Sequence, residues 1–302
     1  TRASFGVILV TTKSGKSGKT NVNYSGNVRF NDAIGIPELM DSYTFAQYFN
    51  RASSNRGGGD IFSPAVMERI KAYQEGTLTA TTVDNGSGIW QKWANANGNT
   101  DWFGEFYDNW VPSQEHNLSI SGGTEKLQYV LSGSFLDQKG LLRHGTDKFQ
   151  RYTLNSKITA NITDWLKVTL NSKWTREDFQ RPTYLTSSFF HNLARKWPVH
   201  PAYDPNGFPM DEGEIEQMEN GGEQNSQKDY YTNQLHVVIE PIKNWRINLE
   251  GSVRTTTQYQ HWEVLPVHAY DVNGDPYYTV WDMGYGSYSA GSSRVDEYSW
   301  KE

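Results

Sequence analysis

Polar and apolar residues alternate along several stretches of this chain, each about ten residues long, as they do in a half-buried β-strand. Between residues 151 and 162, Tyr152, Leu154 and Ile158 fall on one side and Arg151 and Lys157 on the other. The alternation resumes at 166–177 after the short link 163–165. The two stretches predict an antiparallel hairpin with a tight turn.

The same alternation predicts the other long strands. They are expected near residues 22–30, 115–121, 127–136, 232–240 and 245–258, with a weaker one near 292–301. Residues 6–13 form a short apolar run followed by a basic, glycine-containing linker, which is typical of the end of a preceding unit. We therefore expect two parts, the end of one domain with its linker at 1–19 and a larger strand-rich unit at 20–302.

Residues 31–114 break the alternation and favour helices. Ser63 can cap a helix that starts at Pro64, carries Val66 and Ile70 on one face and ends near Gly76. A second helix is expected near 43–52. Both are interpreted as helices packed over their own loop.

The connections between the predicted strands alternate between very short and long. Strands 151–162 and 166–177 also exceed the roughly 9 to 11 residues that cross a bilayer. Alternation alone also occurs in soluble sandwiches, where one face of a sheet meets water. Short turns at one end and long loops at the other are typical of outer-membrane barrels. The pattern therefore predicts an all-β, transmembrane antiparallel barrel with long extracellular loops that contain short helices.

Composition is compatible with this prediction and disfavours other classes. The mean hydropathy is −0.72, and no run approaches the roughly 18 apolar residues of a membrane helix. In a barrel only alternate residues face lipid, so a polar average is expected. The formal net charge of −6 offers no basic character for a nucleic-acid backbone. The 302-residue chain has no cysteine, which excludes disulfides and thiolate metal sites.

The barrel hypothesis assigns the two faces of each strand. Tyr152, Trp165, Trp174 and Trp245 lie near predicted strand ends, where interfacial aromatic belts occur, although half-buried strands are also rich in such residues. The opposite, polar faces are expected to line the lumen. The lumen-facing candidates are Arg151, Asn155, Lys157, Asn161, Lys167, Asn171, Lys173, Arg246 and Glu250.

The segment 90–110 is rich in aromatic rings and interleaved with amides and carboxylates. Such groups can stack on sugar rings and hydrogen-bond their hydroxyls, or form a protein interface. An aromatic cluster that anchors the long loop is an equally good interpretation. The substrate-binding candidates are Trp90, Trp93, Asn97, Asp101, Trp102 and Trp110.

The sequence contains little evidence for a metal site or a catalytic site. His191, His200, His261 and His268 lack the spacing of a metal site, so structural or solvent-exposed roles are favoured. Two near-repeats, AYDPNGFP at 202–209 and AYDVNGDP at 269–276, predict tight turns. The second carries Asp271, Asn273 and Asp275, a weak calcium candidate. No Gly-x-Ser-x-Gly, His-Glu-x-x-His or Walker motif occurs, so an enzyme is not expected.

Several segments, in order, resemble SusC/RagA-family TonB-dependent outer-membrane transporters. The matching segments are RASFGVILVTTKSG at 2–15, TDWF at 100–103, QEHNLSISGGTEK at 114–126, LDQKG at 136–140 and the pair Arg151-Tyr152. The first resembles the end of the family's plug domain, and the others its early barrel strands. Beyond residue 177 the resemblance depends on hairpin spacing and the Asn-Gly turns.

The resemblance implies part of a 22-stranded barrel closed by a plug, in the outer membrane of a Gram-negative bacterium. Such a transporter imports glycans or peptides with energy from a TonB complex, is covered by a SusD-like surface lipoprotein and contacts outer-membrane lipid. The chain contains no TonB box and almost no plug, so it is expected to be an internal fragment. The alternative hypothesis is a soluble, secreted all-β carbohydrate-binding module that uses the aromatic segment 90–110.

Overall fold

The computed structural model describes residues 15–279, 281–282, 287–288 and 293–301. Eight long strands form one antiparallel sheet. They are β1 (Gly18–Asn31), β2 (Val111–Gly123), β3 (Leu127–Lys139), β4 (Lys148–Thr163), β5 (Leu166–Pro182), β6 (Glu223–Ile242), β7 (Trp245–Val264) and β12 (Ser293–Lys301). Each pairs with the next in that order, so β1 and β12 form the two edges. The strand predicted within residues 6–13 lies outside the described residues, and the division of the chain at residue 19 stays a prediction.

The connections between the long strands carry the helices and the short strands. The helices are α1 (Ser42–Asn55), α2 (Pro64–Gln74), α3 (Trp102–Phe106), α4 (Ser187–Arg195) and α5 (Ile215–Asn220). The short strands are β8 (His268–Tyr270), β9 (Pro276–Tyr278), β10 (Trp281–Asp282) and β11 (Ser287–Tyr288). Across the described ranges, no helix has both the length and the apolar character needed to cross a membrane.

The predicted asymmetry of the connections is present. At one end of the sheet the strands are joined by the short turns 124–126, 164–165 and 243–244. At the other end lie the long connections 32–110, 140–147 and 183–222, and the described residues of 265–292. The antiparallel, mostly-β fold class is therefore confirmed, and all helices of the described chain lie on the long-connection side.

β6 and β7 are longer than the alternation predicted. β6 begins at Glu223, before the predicted start near 232, and β7 continues to Val264, beyond the predicted end near 258. The missed segments pair with each other, Gln224 opposite Trp262 and Gln227 opposite Tyr259. Both faces of this part of the hairpin carry polar residues, so the sequence there shows no apolar alternation.

The buried core lies among the long connections, not within the sheet. One cluster comprises Trp102, Phe106, Tyr184, Leu185, Phe189, Leu193, Ala202, Ile215, Met218, Val264 and Val267. A second comprises Ala46, Phe62, Val66, Ile70 and Val199. Residues that are far apart in sequence meet in both clusters. The connections therefore form a packed cap at one end of the sheet, which we call the loop cap.

The two predicted helices are present, and the first turn of α2 shows the predicted capping, while α1 has a cap that was not predicted. The Ser63 hydroxyl accepts a hydrogen bond from the Val66 amide at 3.4 Å, and Pro64 occupies the first turn of α2. Asp41 caps α1 by accepting hydrogen bonds from the amides of Tyr43 and Thr44, each at 3.0 Å. These side chains replace partners that the first turn of a helix otherwise lacks.

Replacing Asp41 by alanine is expected to lower the local stability of α1 by about 1 kcal/mol, because two helix amides and the Gln74 side chain lose their acceptor. The hydrogen bond from Gln74, followed by those from Thr44, lowers the pKa of Asp41 from 3.8 to about 2. A lowered carboxyl pKa means that this stabilisation is complete above pH 3.8 and is lost as the pH falls through about 2. Hydrogen exchange of the α1 amides measures the change.

Asp60→Ala is the matched control for Asp41→Ala, since Asp60 is an exposed aspartate in the loop between α1 and α2. We expect it to leave α1 exchange unchanged. Equal protection of α1 in the two variants would show that Asp41 does not support the helix.

Candidate ligand-facing surface

One face of the sheet is polar, and strand register defines it. Residues directly opposite each other on paired strands share a face. Asn155 lies opposite Ser132 on one side and Lys173 on the other, and Lys173 lies opposite Thr232. Because side chains alternate along a strand, these alignments fix the facing of every residue in the regular parts of the sheet. We call this side the polar face.

All nine lumen-facing candidates lie on the polar face. They are Arg151, Asn155, Lys157 and Asn161 in β4, Lys167, Asn171 and Lys173 in β5, and Arg246 and Glu250 in β7. The structure thus brings together residues up to a hundred positions apart in the sequence. That this face lines the lumen of a closed barrel stays a prediction.

A depression of about 610 Å³ lies on the polar face toward the long connections. Its charged lining is Arg151, Lys173, Glu177 and Arg254, with Tyr230 and three threonines between them. The Arg254 guanidinium lies 5.5 Å from the centre of the Tyr230 ring, and the Tyr230 hydroxyl is 3.4 Å from a Glu177 oxygen. The depression offers cations, hydroxyls and one aromatic ring to a polar ligand.

The opposite face is apolar and largely uncovered. Its exposed side chains include Val22, Tyr24, Leu118, Leu131, Leu154, Ile158, Leu170, Leu235, Ile247, Leu249 and Val253, and Leu235 is 47% exposed. Monomeric soluble proteins rarely expose a contiguous apolar patch larger than a few hundred Å². This face extends across seven strands, which is far beyond that range, and we call it the apolar face.

Aromatic side chains border the apolar face. Trp165 and Trp245 lie at the short-turn end, while Tyr152 and Trp174 lie on the apolar face toward the other end. Beyond Trp174 the surface becomes charged, because Arg176 donates two hydrogen bonds of 2.9 Å to Asp229. The apolar face thus has an aromatic border at each end, and that these borders lie at the two membrane interfaces stays a prediction.

The six substrate-binding candidates do not form one surface. Trp102 and Asn97 are fully buried. The Trp102 indole donates to the Trp197 carbonyl at 3.0 Å, and the Asn97 amide donates to the Ala80 carbonyl at 2.7 Å. Neither side chain can contact a ligand, so the structure corrects the expectation for these two residues.

The other four candidates have separate positions. Trp90 is half-buried and forms an antiparallel bridge with Asp84, and Asp101 caps α3 by accepting a hydrogen bond from the Gly104 amide. Trp110 is 69% exposed and packs edge-on against Phe30 on the apolar face, at a centroid distance of 6.2 Å. Trp110 therefore belongs to the aromatic border of the apolar face and not to the polar face.

Trp93 belongs to a polar cluster that joins the long connections. Its ring stacks on the buried His200 at 4.6 Å, and its indole donates to Glu212. Lys92 lies 2.6 Å from both Asp211 and Glu212. Burial opposes the charge on Lys92, but the hydrogen bonds that its ammonium donates to these two carboxylates outweigh this effect and raise the pKa of the lysine. This cluster fixes the segment 90–97 against the segment 196–214.

A buried ion pair lies beside this cluster. Lys196 and Glu214 are 3.2 Å apart, with side chains 2% and 7% exposed. Burial lowers the pKa of Lys196, and it also lowers the pKa of His200 well below its ordinary value. His200 is therefore neutral at ordinary pH. Its Nε2 lies 3.0 Å from the Asp211 carbonyl oxygen, so the neutral ring donates its proton there.

A third polar cluster, centred on His144, joins several connections of the loop cap. One ring nitrogen of this buried histidine lies 2.6 Å from Glu219 in α5, and the other lies 3.0 Å from Glu105 in α3. The Tyr203 hydroxyl donates to Glu105 at 3.0 Å. Burial, followed by the neighbouring Glu105, raises the pKa of Tyr203 to about 12. Three long connections meet at this point.

No local pattern in the sequence indicates the charged groups of the loop cap. Lys92 and its partners Asp211 and Glu212 are far apart in the chain, and no local spacing indicates that they meet. One local signal was available for Trp102. It follows the capping Asp101 and is four residues before Phe106, and such spacing predicts a shared buried helix face.

In the weak calcium candidate, the Asp271 carboxylate accepts hydrogen bonds from backbone amides of its own turn. One Asp271 oxygen accepts from the amides of Asn273 and Asp275, at 2.8 and 2.9 Å. The first near-repeat forms the same kind of turn around Asp204, and its Phe208 stacks on Tyr270 at 4.0 Å. Over the described ranges, no group of three or more histidines and carboxylates is arranged to hold a metal ion.

Comparison with known proteins gives relatives of one kind. No family model matches the chain. The chain is 27% identical over 175 residues to the TonB-dependent receptor SusC of Bacteroides thetaiotaomicron, which covers 57% of this chain and 14% of that protein. It is 26% identical over 170 residues to the TonB-dependent receptor P3 of Formosa agariphila, covering 56% of this chain and 13% of that protein. The chain thus spans about a seventh of these relatives.

Solved structures with a similar fold include the RagAB peptide importer. In its open-open state the TM-score is 0.65 at 18% identity, covering 88% of this chain and 31% of that chain. In its closed-closed state the TM-score is 0.62 at 17% identity, covering 84% and 30%. At this identity the likeness establishes the fold. The resemblance that the sequence motifs indicated is confirmed by both kinds of relative.

Proposed function

We propose, from the similarity of this chain to SusC/RagA-family TonB-dependent receptors in sequence and fold, that it is part of an outer-membrane transporter that imports nutrients. The two-faced sheet is the observation that carries this proposal. A sheet with one broad apolar face and one polar face suits a barrel wall between lipid and an aqueous lumen. The residues 15–301 then supply eight adjacent strands of that wall.

The geometry of the apolar face supports placement in a bilayer. The eight residue steps from Ile239 to Tyr231 on β6 extend about 27 Å at about 3.4 Å per step. A strand tilt of about 40° reduces this to about 20 Å along the membrane normal, close to the apolar band of about 25 Å of outer-membrane barrels. The long connections, with their packed cap, then lie on the extracellular side.

Substrate and partners follow from the family alone. We propose oligosaccharides or other nutrients such as peptides as the cargo, a SusD-like surface lipoprotein over the loop cap, and energy supplied by a TonB complex. RagAB is described as a peptide importer, and that description belongs to that protein. The chain's own contribution is the polar face, along which a solute would pass, and no catalytic role is proposed.

The alternative of a secreted carbohydrate-binding module receives less support. It depended on the aromatic segment 90–110 as a ligand platform. Trp102 and Asn97 of that segment are buried, and Trp110 lies against the apolar face. A soluble module would also have to cover the apolar face by another means.

Membrane fractionation of the complete protein that carries this chain tests the proposal. We expect recovery in the outer-membrane fraction, with a gel mobility that changes on boiling because folded barrels resist unfolding in detergent. A soluble protein whose mobility does not change on boiling would contradict the transporter function. Uptake of a labelled nutrient by cells with and without the gene then measures transport directly.

A further inference from the structure

The net charge of the polar face is opposite in sign to the net charge of the whole chain. The chain carries a formal net charge of −6, yet cations clearly outnumber carboxylates on this face. In β1 to β7 its cations are Lys19, Arg29, Arg151, Lys157, Lys167, Lys173, Arg181, Lys228, Arg246 and Arg254, and its carboxylates are Glu115, Glu177, Glu240 and Glu250. The surface that a solute would meet is therefore basic, although the chain as a whole is acidic.

The ion pairs on this face lie away from its middle. Arg29 pairs with Glu115 at 3.1 Å near the β1 edge, and Arg246 pairs with Glu240 at 2.9 Å beside a short turn. Among the described residues, Arg151, Lys173 and Arg254 form no ion pair within 4 Å, although Glu177 lies opposite Arg151. Three cations that form no ion pair in the described chain therefore line the depression of about 610 Å³.

These cations form a track along the sheet. Lys173 and Arg254 lie in the same cross-strand row, separated by Thr232, so their strands are about 10 Å apart. Arg151 lies two rows away toward the long connections, which is about 14 Å at two residues per row. A ligand that bridges these positions must be extended and carry more than one negative charge.

The groups between the cations indicate the rest of the ligand. The residues of the polar face between the charges are mostly amides and hydroxyls, such as Asn155, Asn171, Thr153, Thr175 and Thr232. Apolar side chains are scarce there, so a peptide would find few pockets for apolar residues. Sugar hydroxyls, in contrast, can hydrogen-bond amides and hydroxyls, and Tyr230 offers a ring for stacking.

We infer that the polar face binds acidic oligosaccharides, whose carboxylate or sulfate groups contact Arg151, Lys173 and Arg254. The inference rests on the proposed transport function and names the substrate class of that same surface. Guanidinium and ammonium groups bind such oxyanions through charge-assisted hydrogen bonds. Unpaired cations facing a confined aqueous space also raise the local concentration of anionic solutes.

Titration calorimetry on the detergent-purified complete protein tests the inference. The probes are hexagalacturonate, its methyl ester, a sulfated hexasaccharide and hexaglutamate. We expect binding of an acidic saccharide, little binding of the uncharged ester, and weaker binding as the ionic strength rises from about 50 to about 200 mM. Whichever acidic saccharide binds more tightly identifies the acidic group.

The double variant Lys173→Gln and Arg254→Gln should weaken binding of the acidic saccharide at least about a hundredfold, since each lost charged hydrogen bond lowers the affinity about tenfold or more. Lys243→Gln is the matched control, because Lys243 lies in the short turn 243–244, away from the polar face. We expect the control to bind as the parent does.

Three results would overturn the inference. They are equal affinity for hexagalacturonate and its ester, unchanged affinity in the double variant, and binding of hexaglutamate as tight as that of the acidic saccharides. Each is read only on protein that changes mobility on boiling. Loss of that behaviour in the parent would instead contradict the transporter function itself, so the two failures are distinguishable.

Discussion

Leu235→Arg is expected to destabilise the membrane-inserted protein by about 2 to 4 kcal/mol, the cost of arginine at the centre of a barrel's lipid-facing band. Leu235 is on the apolar face of β6, midway between Tyr231 and Ile239, and lies opposite Leu170 and Gly251. A guanidinium placed there finds no carboxylate in its own cross-strand row. Denaturant unfolding of the complete protein in lipid vesicles measures the change in the free energy of unfolding.

Gln234→Arg provides the matched control for Leu235→Arg. Gln234 is the preceding residue, so its side chain is on the polar face, and it hydrogen-bonds Glu250. An arginine there can pair with that carboxylate, so we expect little loss of stability. Equal destabilisation by the two substitutions would contradict the assignment of one face to lipid and the other to the lumen.

The contrast between Leu235 and Gln234 also explains how much of the sheet the sequence could predict. Where one face meets apolar surroundings and the other meets polar ones, each strand shows its alternation directly, as in β4, predicted at 151–162 and observed at Lys148–Thr163. Gln224 to Asp229 in β6 lie beyond the apolar band, where both faces can be polar. The physical cause of the signal is absent there, so the strand could not be predicted.

The loop cap could be predicted only in its local parts. The caps of α1 and α2 depend on residues two or three positions apart, and the sequence indicated both helices. The burial of Trp102 depends on Trp197 and His200, which are about a hundred residues away and approach only because the hairpins β2–β3 and β4–β5 return the chain to the same end of the sheet. Without that topology, an aromatic residue beside amides was equally compatible with ligand binding.

The polar face is intermediate between the strands and the loop cap in how much of it the sequence could predict. Its composition could be predicted from alternation, because each lumen-facing candidate was identified within its own strand. Its charge pattern could not, because the row that contains Lys173 and Arg254 depends on the register between β5, β6 and β7. Register is set by the short turns and the apolar face, so the basic track is a property of the assembled sheet.

Lys196→Met is expected to produce the largest effect within the loop cap, a loss of about 3 to 5 kcal/mol of local stability. Lys196 is almost fully buried, with its ammonium 3.2 Å from Glu214 and 2.6 Å from the Glu212 carbonyl oxygen. Removing the lysine leaves the Glu214 carboxylate buried, with the Tyr184 hydroxyl at 2.9 Å as its remaining hydrogen-bond donor in the described chain. Hydrogen exchange of the α4 and α5 amides measures the loss.

The double variant Lys196→Met with Glu214→Gln distinguishes two effects on stability. One is the loss of the ion pair, and the other is the cost of leaving the Glu214 carboxylate buried without its partner. Burial lowers the pKa of Lys196, which means that desolvation of the ammonium outweighs the attraction of its partners. Replacing both charges by neutral groups should therefore recover most of the stability that the single substitution removes. Lys71→Met is the control, because its 3.7 Å pair with Glu75 is exposed and contributes about 0.5 kcal/mol or less. If Lys196→Met and Lys71→Met changed protection equally, the buried pair would have no special part in holding the cap together.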